Sequence, residues 1–357
     1  MLGFLKFLLR RLVFMIFTLV TITILLYGIF MLTPPEARAM LYLPKGGNGN
    51  SAQVIRQIIE EHQLDAPFLV QYWHWAGRML RGDWGWSPAM RSDVLEAMIR
   101  RTPVTAELTI YSVLVFFSAG LVCGTWAAWK RGRLFDRGFR LATFVSTSIP
   151  PFILGLILIS IFYVGLNWFP IGRISRSNDL EIKSEDFRTY TGMLTVDGFI
   201  NGRLDISADA LRHLVLPVLT LSLAHWATLG RVTRTSMTEE LSQDYVVAAR
   251  GRGVSMRRAV WWHALRNGLL PALNSTAISA AMLITGVYVV EVIFALPGIS
   301  EPITQSSKSS IFAFVLVPDI AVVMGFAVYS VIVVLIFMFV LDIVQAIVDP
   351  RLREGIL

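Results

Sequence analysis

Asp244 to Pro271 reads DYVVAARGRGVSMRRAVWWHALRNGLLP, a basic, turn-broken segment between two long apolar runs. Ser242 stands where it can cap a short helix whose last turn carries Arg250, and Gly251 and Gly253 supply positive-φ positions at which such a helix turns over. A sharp corner follows. Ser255 then caps a second helix, with Val260, Trp261, Ala264 and Leu265 at helical spacing on one face and Arg257, Arg258 and Arg266 elsewhere, until Pro271 opens the next apolar run. The pattern predicts a short polar helix protruding between membrane spans, and the chain around it reads as an all-α integral membrane protein.

Composition agrees. Of 357 residues, 55% are hydrophobic and only 16% charged, against about 25% charged in a soluble domain. The net charge of +7 sits in loops beside apolar runs with no nucleic-acid motif, so anionic lipid of the inner leaflet is its counterpart rather than nucleic acid. Cys123 is the single cysteine and excludes an intramolecular disulfide. His62, His74, His213, His225 and His263 are scattered without metal-ligand spacing, so no metal and no cofactor is expected on this chain. Lys45-Gly46-Gly47-Asn48-Gly49 lacks the Gly-Lys-Ser/Thr of a phosphate loop and reads as a flexible turn, and no GxxxxGK[ST] occurs elsewhere. The chain is therefore not itself an ATPase.

Six spans are expected, with both ends cytoplasmic. Lys6, Arg10 and Arg11 precede an uncharged run from Leu12 to Leu32, long enough at 1.5 Å per residue to cross about 30 Å of hydrocarbon. The form Ala37-Arg38-Ala39 invites a signal-peptide reading, which fails because the apolar stretch is too long and more spans follow. Thr33-Pro34-Pro35 stops this span. A polar region to about Thr102 follows, with a helix candidate at Ala52 to His62 and tryptophans 73, 75, 84 and 86 as an interfacial belt. The second span, Val104 to Trp129, carries the close-packing pair Gly120 and Gly124 and has Glu107 near its outer end, in the interface. Lys130-Arg131-Gly132-Arg133 marks its inner end.

The third span, about Leu141 to Leu166, contains Pro150-Pro151. Two readings stand there: a bend beside a translocation path, or a cytoplasmic lead-in helix before a shorter span. Trp168 to Arg212 is polar and outside, either an insertion that contacts a delivery protein or an idle loop. A short fourth span, Leu214 to Leu229, has Pro217 near its outer start. The fifth runs from Pro271 to about Val290. It ends at Glu291, a gate or salt-bridge group or an interface anchor, before the tight turn Leu296-Pro297-Gly298 with glycine taking the positive φ. The sixth is about Ile320 to Leu341. Arginine-rich inner loops, Lys130 to Arg140 and Arg231 to Arg266, orient the set.

The wording QDYVVAARGRGVSMRR and WHALRNGLLP resembles the cytoplasmic coupling loop, the EAA loop, of ABC importer permeases of the dipeptide/oligopeptide/nickel branch. Val247, Ala248 and Ala249 stand in the Glu-Ala-Ala places, Gly253 is the glycine, and Pro271 arrives later than in the general pattern. LDAPFLVQYWHWAGRMLRGDWGWS (Leu64 to Ser87), SIPPFILGLILISIFYVGLNWFP, VVEVIFALPGIS and the closing Asp349-Pro350-Arg351 extend the resemblance over nearly the whole chain.

The resemblance implies a type I importer fold: a cytoplasmic N-terminus and first span (1–33), an extracytoplasmic region (34–103), a permease core (104–347) with an outer loop (167–213) and an inner coupling loop (231–270), and a cytoplasmic tail (348–357). It implies the coupling residues Val247, Ala248, Ala249, Arg250, Gly251, Gly253, Val254, Ser255, Arg257 and Arg258. It also implies a multi-pass place in the bacterial cytoplasmic membrane and a set of partners: a second homologous permease, two cytoplasmic subunits that bind ATP and Mg, and an extracytoplasmic solute-binding protein. A stand-alone secondary transporter or channel is the alternative, and it calls for mid-membrane ionisable groups or an inverted repeat. A membrane enzyme ranks last, without nucleophile motif or paired carboxylates.

Overall fold

The computed structural model describes residues 2–42, 52–88, 90–304 and 319–348. The expected turn at Lys45 to Asn50, the Asp349-Pro350-Arg351 close and the tail beyond Val348 lie outside those residues. The chain divides into two compact units, Met1–Pro103 with Pro297–Phe339, and Val104–Leu296 with Val340–Leu357. Among the described residues five helices are long and apolar enough to cross a membrane, six if one sharply bent pair counts as a single span.

In the first unit, α1 (Leu2–Phe30) is followed by α2 (Pro35–Ala39), α3 (Ala52–Glu61) and α4 (Phe68–Leu80). Pro35 occupies the first turn of α2, where its missing N–H costs nothing, so the Pro-Pro pair both ends one helix and opens the next. Most large side chains of α1 are exposed, as a lipid-facing helix requires. Its last turn also carries two buried rings, Tyr27 and Phe30. Tyr27 is fully buried and sits 5.0 to 6.1 Å from the rings of Phe30, Phe68, Tyr72 and Trp75. A two-residue hairpin, β1 (Trp86–Ser87) with β2 (Ser92–Asp93), precedes α5 (Val94–Trp129). Arg101 on α5 bonds Glu301 at 2.6 Å, and Ser87 donates to Asp319 at 2.6 Å, just before the last helix.

The second unit continues α5 and adds α6 (Leu134–Ser148) and α7 (Pro151–Leu158), which runs on through a π-helical segment, Ile159–Gly165. The axes on either side of the proline pair differ by 103°. Ile149 is extended (φ −99°, ψ 120°) because a residue before proline is driven out of the helical region. The interruption expected at Pro150 and Pro151 is thus a sharp bend between two helices within the Leu141 to Leu166 stretch.

Trp168 to Arg212 is folded. It contains α8 (Arg176–Ile182) and α9 (Leu194–Ile200), and its Asp209 accepts bonds from the Ser175 N–H and hydroxyl and from Asn178. Glu107 does not sit in water at the interface. It is buried and accepts the Thr195 N–H at 2.8 Å together with the Thr195 hydroxyl, so α9 supplies its donors. Glu291 is likewise fully buried and accepts from the Thr105 hydroxyl, which removes the interface-anchor reading.

The fourth span is the middle of α10 (Leu204–Glu240), 37 residues and about 55 Å long. Pro217 lies buried inside it and does not end it. Next come α11 (Asp244–Gly251), α12 (Met256–Arg258), a π-helical turn (Ala259–Ala264) and α13 (Leu265–Ile293); α14 (Ile320–Val348) closes the described chain. At the turn after α13 the left-handed residue is Ala295, φ 53°, three residues before Gly298.

The Gly120/Gly124 pair marks a close approach of α5 to α10. A Cβ on Gly124 would stand 2.6 Å from the Gly230 carbonyl and 2.8 Å from Thr233 Cβ, and one on Gly120 would stand 2.9 Å from Leu229. Both obstacles at Gly124 belong to the helix itself and cannot swing away. Gly124→Val is expected to cost about 1–3 kcal/mol by overpacking, seen as a lower melting temperature of the solubilised protein, with Gly138→Ala, where the added methyl meets open space, as the unaffected control.

Candidate functional site

Residues 241–268 form an elbow at the arginine-rich end of α5, α10 and α13. Glu240 ends α10, and Ser242 donates to the Glu239 carbonyl at 2.7 Å, so it closes α10 and does not cap α11; the cap position is Gln243. Gly251 lies within the last turn of α11, a correction to its expected left-handed role. Gly253 alone takes that role, φ 84°. Its N–H bonds the Arg250 carbonyl at 2.9 Å and the Val254 N–H bonds the Ala249 carbonyl at 3.2 Å. This is a Schellman corner: the two bonds satisfy carbonyls that the helix end leaves over.

Ser255 (φ −61°, ψ 146°) starts the next helix without a side-chain capping bond. From Met256 the backbone is helical to Ile293, through the π-helical turn, so Pro271 lies inside α13 and does not open it.

One side of the elbow is packed into its own chain. Val246 is buried against Met237 of α10, Ala128 of α5 and Ala259, Val260 and Ala264, with Val254, Met256, Trp261 and Leu265 half-buried around them, and Ala249, three residues further along α11, is buried as well. The expected face of Val260, Trp261, Ala264 and Leu265 is thus the inward one. Burying a valine side chain contributes about 1.5–3 kcal/mol, and here that contribution clamps α11 to three long helices at once. Gly268 lets Ser236 reach its carbonyl at 3.1 Å.

The other side is open. Val247 is 61% and Trp262 76% exposed, and Ala248, Arg250, Gly251, Arg252, Gly253, Ser255, Arg257 and Arg258 are exposed beside them. Of the ten residues implied by resemblance, Ala249 faces inward at 2% exposure and Val254 is half-buried. Those two position the elbow, and the remaining eight are available to a partner. The inward Val246 and Met237, and the outward Arg252 and Trp262, were not singled out; the three-residue spacing of Val246 and Ala249 was the available signal. Ser255, Arg257, Arg258, Trp261 and Trp262 line a cavity of about 470 Å³. On α11, burial and then the Glu240 carboxylate to which it donates raise the Tyr245 phenol above its ordinary pKa.

Beneath the elbow a buried ion pair ties α6 to α10. Asp136, 1% exposed, accepts Arg234 Nε at 2.5 Å and Nη2 at 3.0 Å, and also the Gly132 N–H at 2.9 Å. Such a two-pronged pair fixes orientation as well as distance. Among the described residues no group of His, Cys, Asp and Glu is placed to hold a metal. The arrangement offers a rigid, basic, partly aromatic surface rather than a reactive centre.

Two family models match the chain. Residues 120–354 match the binding-protein-dependent transport system inner membrane component, and residues 4–109 match the N-terminal part of that membrane component. Among curated proteins it is 32% identical to a di/tripeptide transport system permease protein of Pseudomonas aeruginosa over 98% of this chain and 99% of that protein. It is 31% identical to an oligopeptide transport system permease protein of Bacillus subtilis over 97% and 99%. To a dipeptide transport system permease protein of Escherichia coli K12 it is 30% identical over 98% and 99%.

Two outcomes test the elbow's construction. Gly253 has open space around it, so its requirement is conformational alone; Gly253→Val is expected to lose about 1–2 kcal/mol, whereas Gly251→Ala, in helical backbone, is tolerated, both read by thermal unfolding. Asp136→Ala strands the Arg234 guanidinium and is expected to cost about 3–5 kcal/mol, with Asp136→Leu/Arg234→Met recovering most of it in the same assay.

Proposed function

This chain belongs to the family of binding-protein-dependent transport system inner membrane components, and on that premise we propose that short peptides are its cargo and that its elbow is where mechanical work enters. It is a non-catalytic permease subunit of the bacterial inner membrane. The permease names of the relatives support peptides as cargo. The positive-inside rule puts the arginine-rich elbow in the cytoplasm and residues 34–103 and 167–213 outside.

In this reading the chain pairs with a second, homologous permease. Two cytoplasmic subunits hold ATP and Mg, and a solute-binding protein delivers cargo from outside. A groove on one ATPase receives Val247, Ala248, Arg250 and Gly251 from α11 and Ser255, Arg257 and Arg258 past the corner. The inward side, Val246 on Met237, Ala128 and Val260, passes the displacement to α10, α5 and α13. Interfaces packed this tightly shift between discrete arrangements and do not deform smoothly, so a small push at the elbow is transmitted as a helix movement. ATP drives the cycle only by favouring one of the two arrangements over the other.

The observation that carries the proposal is the division of the elbow into an anchored inner face and an exposed basic outer face. In the reconstituted transporter, Arg250→Glu with Arg258→Glu is expected to leave ATP hydrolysis running while peptide uptake per ATP falls at least about tenfold, since a reversed charge turns a favourable contact into a repulsive one. Unchanged uptake per ATP would remove the coupling role.

A further inference from the structure

The first unit carries a second feature that the elbow does not use. A groove of about 780 Å³ is lined by Arg78, Arg81, Asp83, Asp93, Glu96 and Arg100 among others. That volume lies within the roughly 300–1,000 Å³ of small-ligand sites. Three cations and three carboxylates line it, so it is neutral in sum and strongly polar in detail.

Its floor is rigid. Arg78 is held on two sides, over the Tyr42 ring at 4.4 Å and to Asp83 at 2.7 Å. Asp83 also accepts the Gly85 N–H at 3.3 Å, and the turn is pinned by the Trp84 indole, which donates to the Met79 carbonyl at 3.1 Å. Gly82 and Gly85 take φ of 85° and 89°, and a Cβ on Gly85 would stand 3.0 Å from the Leu41 carbonyl, so the wall cannot be built otherwise. Burial works to raise Asp83, but Arg78 and the Gly85 N–H outweigh it and hold the carboxyl below its usual range. On the rim Arg100 pairs with Glu96 at 2.5 Å. With these pairs made, Arg81 is exposed and has no side-chain partner among the described residues.

We propose that this groove is a peptide subsite on the permease itself, taking the carboxylate of a zwitterionic di- or tripeptide on Arg81, its ammonium toward Asp93 and Glu96, and its side chains against Trp86, Leu95 and Ile99. The chemistry favours a zwitterion because a ligand of one net sign meets an equal number of opposing charges in the groove. A planar guanidinium gives a terminal carboxylate two parallel hydrogen bonds, which an amidated end cannot accept. The proposal rests on peptides being the cargo and on residues 34–103 facing outside. It places a staging site on the outer side, separate from the elbow.

The test uses the assembled transporter in nanodiscs, prepared without its binding protein and equilibrated with radiolabelled trialanine. Saturable binding is expected that unlabelled trialanine displaces and N-acetyl-trialanine amide does not. Arg81→Gln should weaken it about tenfold or more, and Arg81→Lys less, as loss of a charge-assisted pair demands. Equal displacement by the capped peptide, unchanged binding by Arg81→Gln, or binding no greater than to empty nanodiscs overturns the site. So does the finding that Arg81→Gln weakens only docking of the binding protein, which would make the groove a seat for a protein segment. Wild-type transporter that takes up peptides normally while showing none of this binding sinks the subsite alone. A transporter that takes up no peptide sinks the cargo assignment beneath it.

Discussion

The left-handed corner at Gly253 governs the rest. It ends α11 after the single turn that follows Ala249, returns two spare carbonyl bonds to the backbone, and sends the chain back so that Val260 and Ala264 pack beside Val246. Without that reversal the inward face of α11 has nothing to close on, and the exposed face has no fixed direction. The corner makes a short helix, too small to be stable alone in water, behave as a rigid extension of α5, α10 and α13.

Two further constraints give that extension its stiffness. Glycines at 120, 124 and 230 let α5, α10 and the Phe139 side of α6 approach until side chains have no room to shift: a Cβ on Gly230 would stand 2.9 Å from the Phe139 ring. The buried Asp136 carboxylate is held by the two-pronged, mostly covered Arg234 and by the Gly132 N–H. Both are all-or-nothing interactions, lost entirely by small displacements. A permease that alternates between two states needs elements of this kind, which either hold or move as blocks.

The helical, multi-span architecture and the elbow were legible because they depend on local signals: long apolar runs, arginine-flanked ends, and helical spacing at Val260 and Ala264. Ser242 was misassigned because two adjacent polar residues, Ser242 and Gln243, both suit a helix start, and only the bond to Glu239 decides between them. Gly251 and Gly253 cannot be ranked from sequence, since either suits a left-handed turn. Pro217 and Pro271 looked like boundaries by the rules for water-exposed helices, yet each lies inside a long helix, Pro217 buried and Pro271 exposed, as spans that find other partners for the freed carbonyl tolerate. Glu107 and Glu291 were misplaced because their partners, Thr195 and Thr105, lie 88 and 186 residues away, beyond any local pattern. At the elbow, exposure of the basic residues followed from their chemistry, while the inward turn of Ala249 followed only from three-dimensional packing.

The central claim is that α11 shows a partner ATPase one face and hides the other. With the only cysteine, Cys123, replaced by serine, single cysteines at Ala248→Cys and Ala249→Cys can be compared by cross-linking in the assembled transporter. The account predicts rapid cross-linking of the ATPase from position 248 and little from position 249. Equal cross-linking from both, or modification of position 248 only by a reagent added to the outer side, would contradict it.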